Sequence, residues 1–326
     1  MKNKFFLFCI IFLALFTTVT TNFYTAYADS YVYLGGIPAG FTLETRGAEI
    51  ISVGEVLTKD GTVSPSKDAG ILNNDVILSI DGIEVNSASD IEKVLVEDGE
   101  KVLEIERKGE KIILEVVPSR DMSGKLKLGV FIKDSINGIG TLTFIKNNRF
   151  ASLGHPIVNE NGKLIEIKTG SLSTCVITGR VKGEKNRPGE LCGTINKSCK
   201  IGNVDKNIMQ GVYGELCENF NLTGFKKIKT GKASVGKAYI YSTVNGEKPE
   251  KYSVSIIKVE NGNGNGKNFV LKVDDERLLE LTNGIVQGMS GSPVVQNDKL
   301  VGAVTHVFIN DSTRGFGISI DNMINN

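Results

Sequence analysis

The chain has 326 residues, of which 40% are hydrophobic, 37 are glycine and none is tryptophan, and its formal net charge is +1. This length suffices for two domains with substantial cores. The lack of a basic surplus argues against a nucleic-acid-binding protein, which would carry clustered positive charge. Runs of Val, Ile, Thr and Phe separated by Gly, Asn and Asp predict many short strands.

The first 28 residues have the pattern of an export signal. Lys2 and Lys4 precede an uncharged apolar run from Phe5 to Phe16, and Ala26-Tyr27-Ala28 matches a small-x-small cleavage site. The run is short for a membrane span, although an uncleaved signal anchor is the alternative if the apolar segment extends through Val19. In either case we expect the remainder of the chain to lie outside the cytoplasm.

Residues 30–119 carry the pattern of a small α+β domain. Alternating and apolar runs predict strands at Phe41–Thr45, Val76–Ile80, Leu103–Glu106 and Ile112–Val116. Asp81-Gly82 predicts a tight hairpin turn. A short helix is expected to end at Gly70, and Ser89 is expected to cap a second helix from Asp90 to Leu95.

The run Ala-Gly-Ile-Leu-Asn-Asn-Asp-Val-Ile-Leu-Ser-Ile-Asp-Gly, residues 69–82, resembles the signature of bacterial PDZ domains. The resemblance implies a groove between a strand and a helix, where a peptide adds as an extra strand and backbone amides hold its terminal carboxylate. Here the carboxylate loop would follow Gly35-Gly36 and comprise Ile37, Pro38, Ala39, Gly40 and Phe41. Pro38 has no N–H to donate. The alternative is that these glycines only turn the chain into the first strand.

Residues 120–326 consist largely of predicted strands. They are expected at Leu128–Ile132, Gly140–Ile145, Lys163–Ile167, Ala238–Tyr241, Tyr252–Ile257 and Phe269–Val273. Asp275–Leu281 is expected to form one short helical turn. About 200 residues of short strands with turn signals favour a β-barrel or a pair of barrels.

Four cysteines, Cys175, Cys192, Cys199 and Cys217, cluster in the second part of the chain. Export permits one or two disulfides, and free structural thiols are the alternative. The cysteines form no Cys-x-x-Cys pair and have no histidine nearby in the sequence, so nothing indicates a zinc site. We predict neither a metal nor another cofactor.

The segment Gly-Ile-Val-Gln-Gly-Met-Ser-Gly-Ser-Pro, which we name the serine turn (Gly284–Pro293), contains the strongest candidate for chemistry. Glycines on both sides of Ser290 allow a sharp bend that frees its hydroxyl and lets amide N–H groups converge on an oxyanion. Ser292 is the competing hydroxyl. A glycine-rich turn between two strands, without catalytic function, is the alternative interpretation.

The chain contains only two histidines, His155 and His306. A histidine, with an ordinary pKa of about 6.5, is the natural general base for a serine hydroxyl. The order His155, Asp275, Ser290 is that of chymotrypsin-like double β-barrels, whereas an α/β-hydrolase needs the serine first and helices between its strands. The order favours His155 as the base and leaves His306 as a core or pocket-wall residue. Asp274 is the alternative acid.

The serine turn also resembles the serine motif of the stage IV sporulation protein B peptidase family. Gly302–Phe308 and Gly315–Ile318 after it, and Gly138–Thr141 with Leu153–His155 before it, are similar to that family too. The resemblance implies an exported serine peptidase of endospore formers that cleaves its own N-terminal region and a membrane-bound regulatory protein. It would act between the forespore and mother-cell membranes, either secreted or held by an N-terminal anchor.

The same resemblance implies roles for individual residues. Ser290 would be the nucleophile, His155 the general base and Asp275 the acid that orients it, while the N–H groups of Gly288 and Ser290 would form the oxyanion hole. The implied protein partner is a membrane-associated sporulation regulator, as substrate. The PDZ-like groove is expected to hold a chain end, either that of the substrate or that of another copy of this chain. Two alternatives remain open, a non-catalytic scaffold and a general quality-control protease.

Overall fold

The computed structural model describes residues 31–159, 162, 164–260 and 266–326. The predicted export signal, residues 1–28, lies outside these ranges. Within them, no helix is both long enough and apolar enough to cross a membrane.

The structure is built mainly of strands, as the composition predicts. The first ten are β1 (Tyr31–Leu34), β2 (Pro38–Val53), β3 (Val56–Thr58), β4 (Gly61–Val63), β5 (Val76–Ile80), β6 (Ile83–Glu84), β7 (Lys101–Arg107), β8 (Glu110–Val116), β9 (Ser119–Arg120) and β10 (Leu126–Lys127). The others are β11 (Val130–Lys146), β12 (Arg149–Ser152), β13 (Ile167–Val181), β14 (Glu190–Ile208), β15 (Gly211–Leu216), β16 (Lys227–Thr230), β17 (Gly236–Ser242), β18 (Glu250–Val259), β19 (Phe269–Val273), β20 (Pro293–Gln296), β21 (Lys299–Phe308) and β22 (Asp311–Ser319). The α-helices are α1 (Pro65–Asp68), α2 (Ala88–Val94) and α3 (Glu276–Thr282), and a 3-10 turn covers Ile320–Asn322.

Six strands close into a first antiparallel barrel, in the order β2, β13, β14, β15, β12, β11 and back to β2. Alternate residues of each strand face inward, which places Phe41, Leu43, Leu142 and Phe150 in the barrel core at no more than 1% exposure. Burying each such side chain contributes about 1.5–3 kcal/mol. Closure leaves no free edge within the ring of strands.

A second antiparallel barrel closes in the order β17, β18, β19, β22, β21, β20 and back to β17. Its core contains Ile240, Tyr252, Leu271 and Val304, all at most 1% exposed. β1 pairs with β11 of the first barrel and with β16, which runs parallel to β21 of the second. The predicted mostly-β double barrel is therefore confirmed.

A third body of strands and short helices has its own core. β11, β2, β5, β7 and β8 form one sheet, and Ile50, Ile77 and Ile105 are fully buried between this sheet and its helices. The predicted hairpin turn is present, since Ile80 pairs with Ile83 and Asp81 has a φ of 49°. The predicted helix start is wrong by two residues. The hydroxyl of Ser87, rather than Ser89, accepts from the N–H of Asp90, so α2 begins at Ala88.

β2 and β11 belong to both the first barrel and this third body. Glu44 pairs with Ser135 at the barrel end, and Glu49 pairs with Lys133 beyond it. The intervening residues 46–134, which we name the inserted module, thus extend from the end of the β2–β11 hairpin. The predicted boundaries at residues 30 and 119 differ from this arrangement, because β1 and the first half of β2 pair with barrel strands.

The predicted carboxylate loop is wrong for the same reason. Its residues precede or form the barrel half of β2, where they pair with β11 and β13: Ile37, Pro38, Ala39, Gly40 and Phe41. All but Ile37 are buried. These residues lie in the first barrel and take no part in the core of the inserted module.

Other predictions are refined by side-chain contacts. Lys163, the first residue of the predicted strand Lys163–Ile167, lies outside the described residues, and no strand covers residues 164–166, where the amide of Asn207 binds the carbonyls of Ile157 and Ile165 and β13 starts only at Ile167. The predicted helical turn after β19 is present as α3. The four cysteines that the structure describes are free thiols.

Candidate active site

The serine turn connects α3 to β20 and bends at two glycines that no larger residue can replace. Gly288 and Gly291 have φ values of 93° and 92°, a region that L side chains rarely adopt. A Cβ on Gly291 would lie 2.1 Å from the carbonyl oxygen of Thr141, and one on Gly288 would lie 3.0 Å from Leu191. The turn therefore packs directly against β11 of the first barrel and β14.

Hydrogen bonds from β11 fix the carbonyl groups of the serine turn. The Thr141 N–H donates to the Ser290 carbonyl at 2.9 Å, and its hydroxyl donates to the Gly288 carbonyl at 2.9 Å. The hydroxyl of Thr143 donates to the Gly291 carbonyl at 2.7 Å. These three bonds bring the nucleophile candidate, carried by the second barrel, against the first barrel.

The two predicted oxyanion donors are free. The carbonyl of Gln287 accepts from Leu191, and that of Met289 accepts from Ser292, each at 2.9 Å. Because a trans peptide directs its N–H away from its carbonyl, the N–H groups of Gly288 and Ser290 point away from these partners. Neither N–H makes a hydrogen bond within the described part of the chain. Such unpaired, rigidly held donors can stabilise an oxyanion.

His155 lies in a short turn after β12, which we name the histidine turn (Leu153–Pro156). Its Nδ1 is 2.9 Å from the Pro156 carbonyl oxygen. Since a carbonyl only accepts, Nδ1 carries the proton and Nε2 keeps its lone pair. Burial lowers the pKa of His155 below its ordinary 6.5, although the bond to Pro156 opposes this. The ring is thus neutral at pH 7, as a general base must be.

Thr305 of β21 lies where the serine turn and the histidine turn meet. Its carbonyl accepts from the hydroxyl of Ser290 at 2.7 Å. A Cβ on Gly154 would lie 2.9 Å from its methyl group, which shows how closely the residue before His155 packs there. The structure therefore brings Ser290 and the residue before His155 to a common neighbour. The single hydroxyl proton of Ser290 is directed at Thr305 and not at the histidine.

His306 completes this cluster. Its ring centroid is 4.8 Å from that of His155, with a tilt of 40°. The pKa of His306 is lowered to about 4, first by burial of part of the ring and then by the charges of His155 and Lys267. Both histidines of the chain therefore lie together, and both are neutral near pH 7.

Asp275 lies elsewhere. Its carboxylate caps α3, accepting from the N–H groups of Arg277 at 3.1 Å and Leu278 at 3.3 Å, and from the N–H of Ser253 at 3.1 Å. Burial alone would raise the pKa of Asp275, but the hydrogen bonds from Ser253 and Leu278 and the nearby Arg277 lower it overall. The carboxylate is thus fully engaged in holding the start of a helix.

No hydrogen bond or ion pair joins Asp275 to His155, although the structure describes both residues. Gly266, whose carbonyl accepts from Thr305, precedes β19, and Asp275 follows it. A five-residue strand spans about 13 Å between its end residues, so the carboxylate and the two histidines lie at opposite ends of β19. The expectation that Asp275 orients His155 is therefore not met. Asp274 accepts from Ser255 and does not replace it.

A second candidate site lies in the inserted module. A cavity of about 500 Å³ separates α2 from the segment Leu126–Ile132 and is lined by Ile91, Leu95 and Leu128. The N–H groups of Leu128 and Gly129 make no hydrogen bond among the described residues, and Gly129 has a φ of 76°. A strand edge, a helix and two free amides around an apolar groove can bind an extended chain end.

Three threonines contribute to the site although the sequence alone does not predict their role. Thr141, Thr143 and Thr305 all contact the serine turn, yet threonine is common in strands and gives no signal of its own. Within the described ranges, no three His, Cys, Asp or Glu side chains come together as a metal site.

Comparison with known proteins gives one family match and several distant structural matches. The family model described as SpoIVB peptidase S55 matches residues 124–324, a range that contains His155, Ser290 and His306. No curated protein sequence matches the chain. The crystal structure of the Rv3671c protease in its inactive form is 12% identical, with a TM-score of 0.34, covering 56% of this chain and 80% of that one. A serine-to-alanine mutant of Rv3671c from M. tuberculosis H37Rv, also inactive, is 13% identical, with a TM-score of 0.32 and coverages of 57% and 78%.

Proposed function

Because the chain belongs to the SpoIVB peptidase S55 family and is a serine peptidase, we propose that Ser290 is its nucleophile and His155 its general base. One observation carries this assignment. The serine turn and the histidine turn pack around Thr305, with two unpaired N–H groups beside the hydroxyl. A nucleophile, a neutral base and an oxyanion hole are the parts that acyl transfer needs.

The reaction proceeds in two halves. Nε2 of His155 takes the hydroxyl proton as Ser290 Oγ bonds to the substrate carbonyl carbon, and the N–H groups of Gly288 and Ser290 stabilise the resulting oxyanion. His155 then gives the proton to the leaving amine as the C–N bond breaks. In the second half, water gives a proton to His155 as its oxygen bonds to the acyl carbon, and His155 returns that proton to Ser290 Oγ as the bond between the acyl carbon and Oγ breaks.

The bond from Ser290 to Thr305 describes a resting arrangement. A hydroxyl has one proton, and in this state the carbonyl of Thr305 accepts it at 2.7 Å. Attack requires Ser290 to rotate away from Thr305 toward His155. The pair acts without Asp275, because the carbonyl of Pro156 already fixes the tautomer of His155.

The biological role that we propose is narrower than peptide hydrolysis. The enzyme cleaves its own N-terminal region and a membrane-bound regulatory protein during sporulation, in the space between forespore and mother-cell membranes. The family match and the export signal pattern of residues 1–28 support this role. The groove beside α2 holds a chain end, of the substrate or of another copy.

Labelling with a fluorophosphonate probe tests the assignment of the nucleophile. The wild-type chain should be labelled covalently, and Ser290→Ala should not, while Ser292→Ala serves as the matched control that keeps Ser290. Absence of labelling in correctly folded wild type would instead favour a non-catalytic scaffold.

Incubation of the same purified proteins, followed by reading the N-termini of all fragments, tests the narrower role. Wild type should release one N-terminal fragment and cut few other sites, and Ser290→Ala should remain intact. Broad cleavage of unfolded proteins would contradict a signalling peptidase and support a quality-control protease.

A further inference from the structure

We propose that Thr141 is a positioning residue that holds the oxyanion hole of this enzyme in its working geometry. The inference rests on the proposed function, because it assigns Gly288 and Ser290 as the oxyanion donors. Thr141 lies on β11 of the first barrel and is only 2% exposed. Its hydroxyl bonds to a backbone carbonyl of the serine turn and to no reacting atom, so removal of that hydroxyl acts on the reaction through the serine turn.

Thr141 fixes the backbone on the C-terminal side of both donor residues. Its hydroxyl holds the Gly288 carbonyl and its N–H holds the Ser290 carbonyl, each at 2.9 Å. The peptides that carry the donor N–H groups are fixed on their other side by Leu191 and Ser292. Gly288 has little steric restraint of its own, since glycine reaches many conformations. The peptide that follows Gly288 is held at both ends, since the N–H of Met289 donates to the Val286 carbonyl at 3.1 Å and the hydroxyl of Thr141 is the side-chain contact that fixes the Gly288 carbonyl.

The same residue also holds the histidine turn. The carbonyl of Thr141 accepts from the N–H of Leu153 at 3.4 Å and from the hydroxyl of Ser152. A single buried residue therefore connects the segment that carries the base to the segment that carries the nucleophile. Displacing either segment by about 1 Å can reduce catalysis on the order of 100-fold, so such a connection matters for rate.

Thr143 is a weaker member of the same arrangement. It lies two residues further along β11 on the same face, and its hydroxyl holds the Gly291 carbonyl at 2.7 Å. Gly291 carries no oxyanion donor, because its N–H is already bound to the Val304 carbonyl. Removal of the Thr143 hydroxyl is therefore expected to affect the reaction less than removal of the Thr141 hydroxyl.

The test compares Thr141→Val, which replaces the hydroxyl with a methyl group of similar size, with Thr141→Ser, which keeps the hydroxyl. Thr243→Val is the matched control, because the hydroxyl of Thr243 is equally buried and also donates to a backbone carbonyl, that of Gly36 at 3.0 Å. Each full-length variant is measured for fluorophosphonate labelling rate, for kcat and KM on a p-nitrophenyl ester, and for thermal unfolding.

Thr141→Val should lower the labelling rate and kcat at least about tenfold at unchanged KM, approaching the roughly 10²–10³-fold loss known for removal of a whole oxyanion donor. Thr141→Ser should recover most of this loss, and Thr243→Val should label like wild type. If Thr141→Val kept the wild-type labelling rate and kcat, the inference would be overturned and the proposed function would still stand. Equal losses in Thr141→Val and Thr243→Val, in proportion to lost thermal stability, would also overturn it. An unlabelled wild type would overturn the proposed function and the inference together.

Discussion

His155 and His306 are the residues whose protonation the fold controls most directly. In the unfolded chain each has an ordinary pKa of about 6.5. In the folded state the pKa of His306 is about 4 and that of His155 is also lowered. Between pH 6.5 and pH 4 the unfolded chain therefore binds protons that the folded chain does not. The contribution of the two neutral histidines to the free energy of unfolding is therefore fully present above pH 6.5 and declines as the pH falls toward 4.

This pH dependence is testable with one variant. Urea unfolding at pH 7.5, 6.0 and 4.5 should show a steady loss of stability in the wild type. His306→Asn, which cannot titrate in this range, should lose distinctly less stability than the wild type between pH 6.0 and 4.5. Equal losses in both proteins would show that His306 does not resist protonation.

Asp275 is the residue for which sequence order and structure disagree. As a helix cap, its replacement by alanine should cost about 0.5–2 kcal/mol of stability, whereas asparagine, an equally good cap, should cost little. Because the carboxylate has no contact with His155, Asp275→Asn should also keep most of the labelling rate of Ser290.

An orienting acid behaves in the opposite way. Asparagine at the acid position of a triad leaves the fold intact and lowers kcat roughly 10⁴-fold. Chemical denaturation and probe labelling of Asp275→Ala and Asp275→Asn therefore separate the two roles. A stable but inactive Asp275→Asn would show that Asp275 takes part in catalysis.

At the scale of single residues, the sequence predicts those site residues for which few alternative residues of the same type exist. The chain has only two histidines, and Ser290 lies between two closely spaced glycines, Gly288 and Gly291, in the resembling motif. Asp275 was assigned by spacing, but an aspartate before a helix is also the preferred N-cap, and spacing does not distinguish the two. Thr141 was invisible because its importance depends on which carbonyls β11 meets across the barrels.

At the scale of secondary-structure elements, the groove between α2 and β11 gives a testable prediction about peptide binding. Ala88, at the start of α2, is exposed and lines the cavity, whereas its neighbour Ser89 is exposed outside it. Ala88→Phe should fill the groove and reduce binding of peptides that end in an apolar residue with a free carboxylate. Ser89→Phe adds the same ring outside the groove and should not.

Fluorescence anisotropy with one pool of such peptides, carboxylate-ended or amidated, measures this binding on the full chain. Amidation should weaken binding, because it removes the charge that the N–H groups of Leu128 and Gly129 would receive. Equal binding of both pools, or of both variants, would contradict a carboxylate site in this groove.

Elements were predicted more accurately than the connections between them. Strands such as Val76–Ile80 and Phe269–Val273 follow from local apolar patterns, and both are present as predicted. The resemblance to PDZ domains predicts the carboxylate loop at Gly35–Phe41, which precedes the inserted module. In the structure, the strand that borders α2 comes from the opposite end of the module, at Val130, which local patterns do not reveal.

Across the whole molecule, the double barrel could be predicted because strand-rich composition and the order of histidine before serine agree. The location of the site between barrels also follows, since His155 comes from the first barrel and Ser290 from the second. The length of β2 and β11 could not be predicted. Each spans two bodies with separate cores, and a pattern of alternating residues does not indicate where one core ends and the next begins.

The two shared strands, β2 and β11, show how the inserted module is joined to the barrels. Glu44 and Ser135 are register partners, so a two-residue turn between their strands would close the same hairpin that now carries residues 46–134. A gene without this segment would still encode every strand of both barrels. The module therefore has the position of an insertion, at a hairpin tip where it interrupts no barrel strand pair. Because two paired strands attach it instead of a loose linker, it is joined directly to β11, the strand that supports the nucleophile.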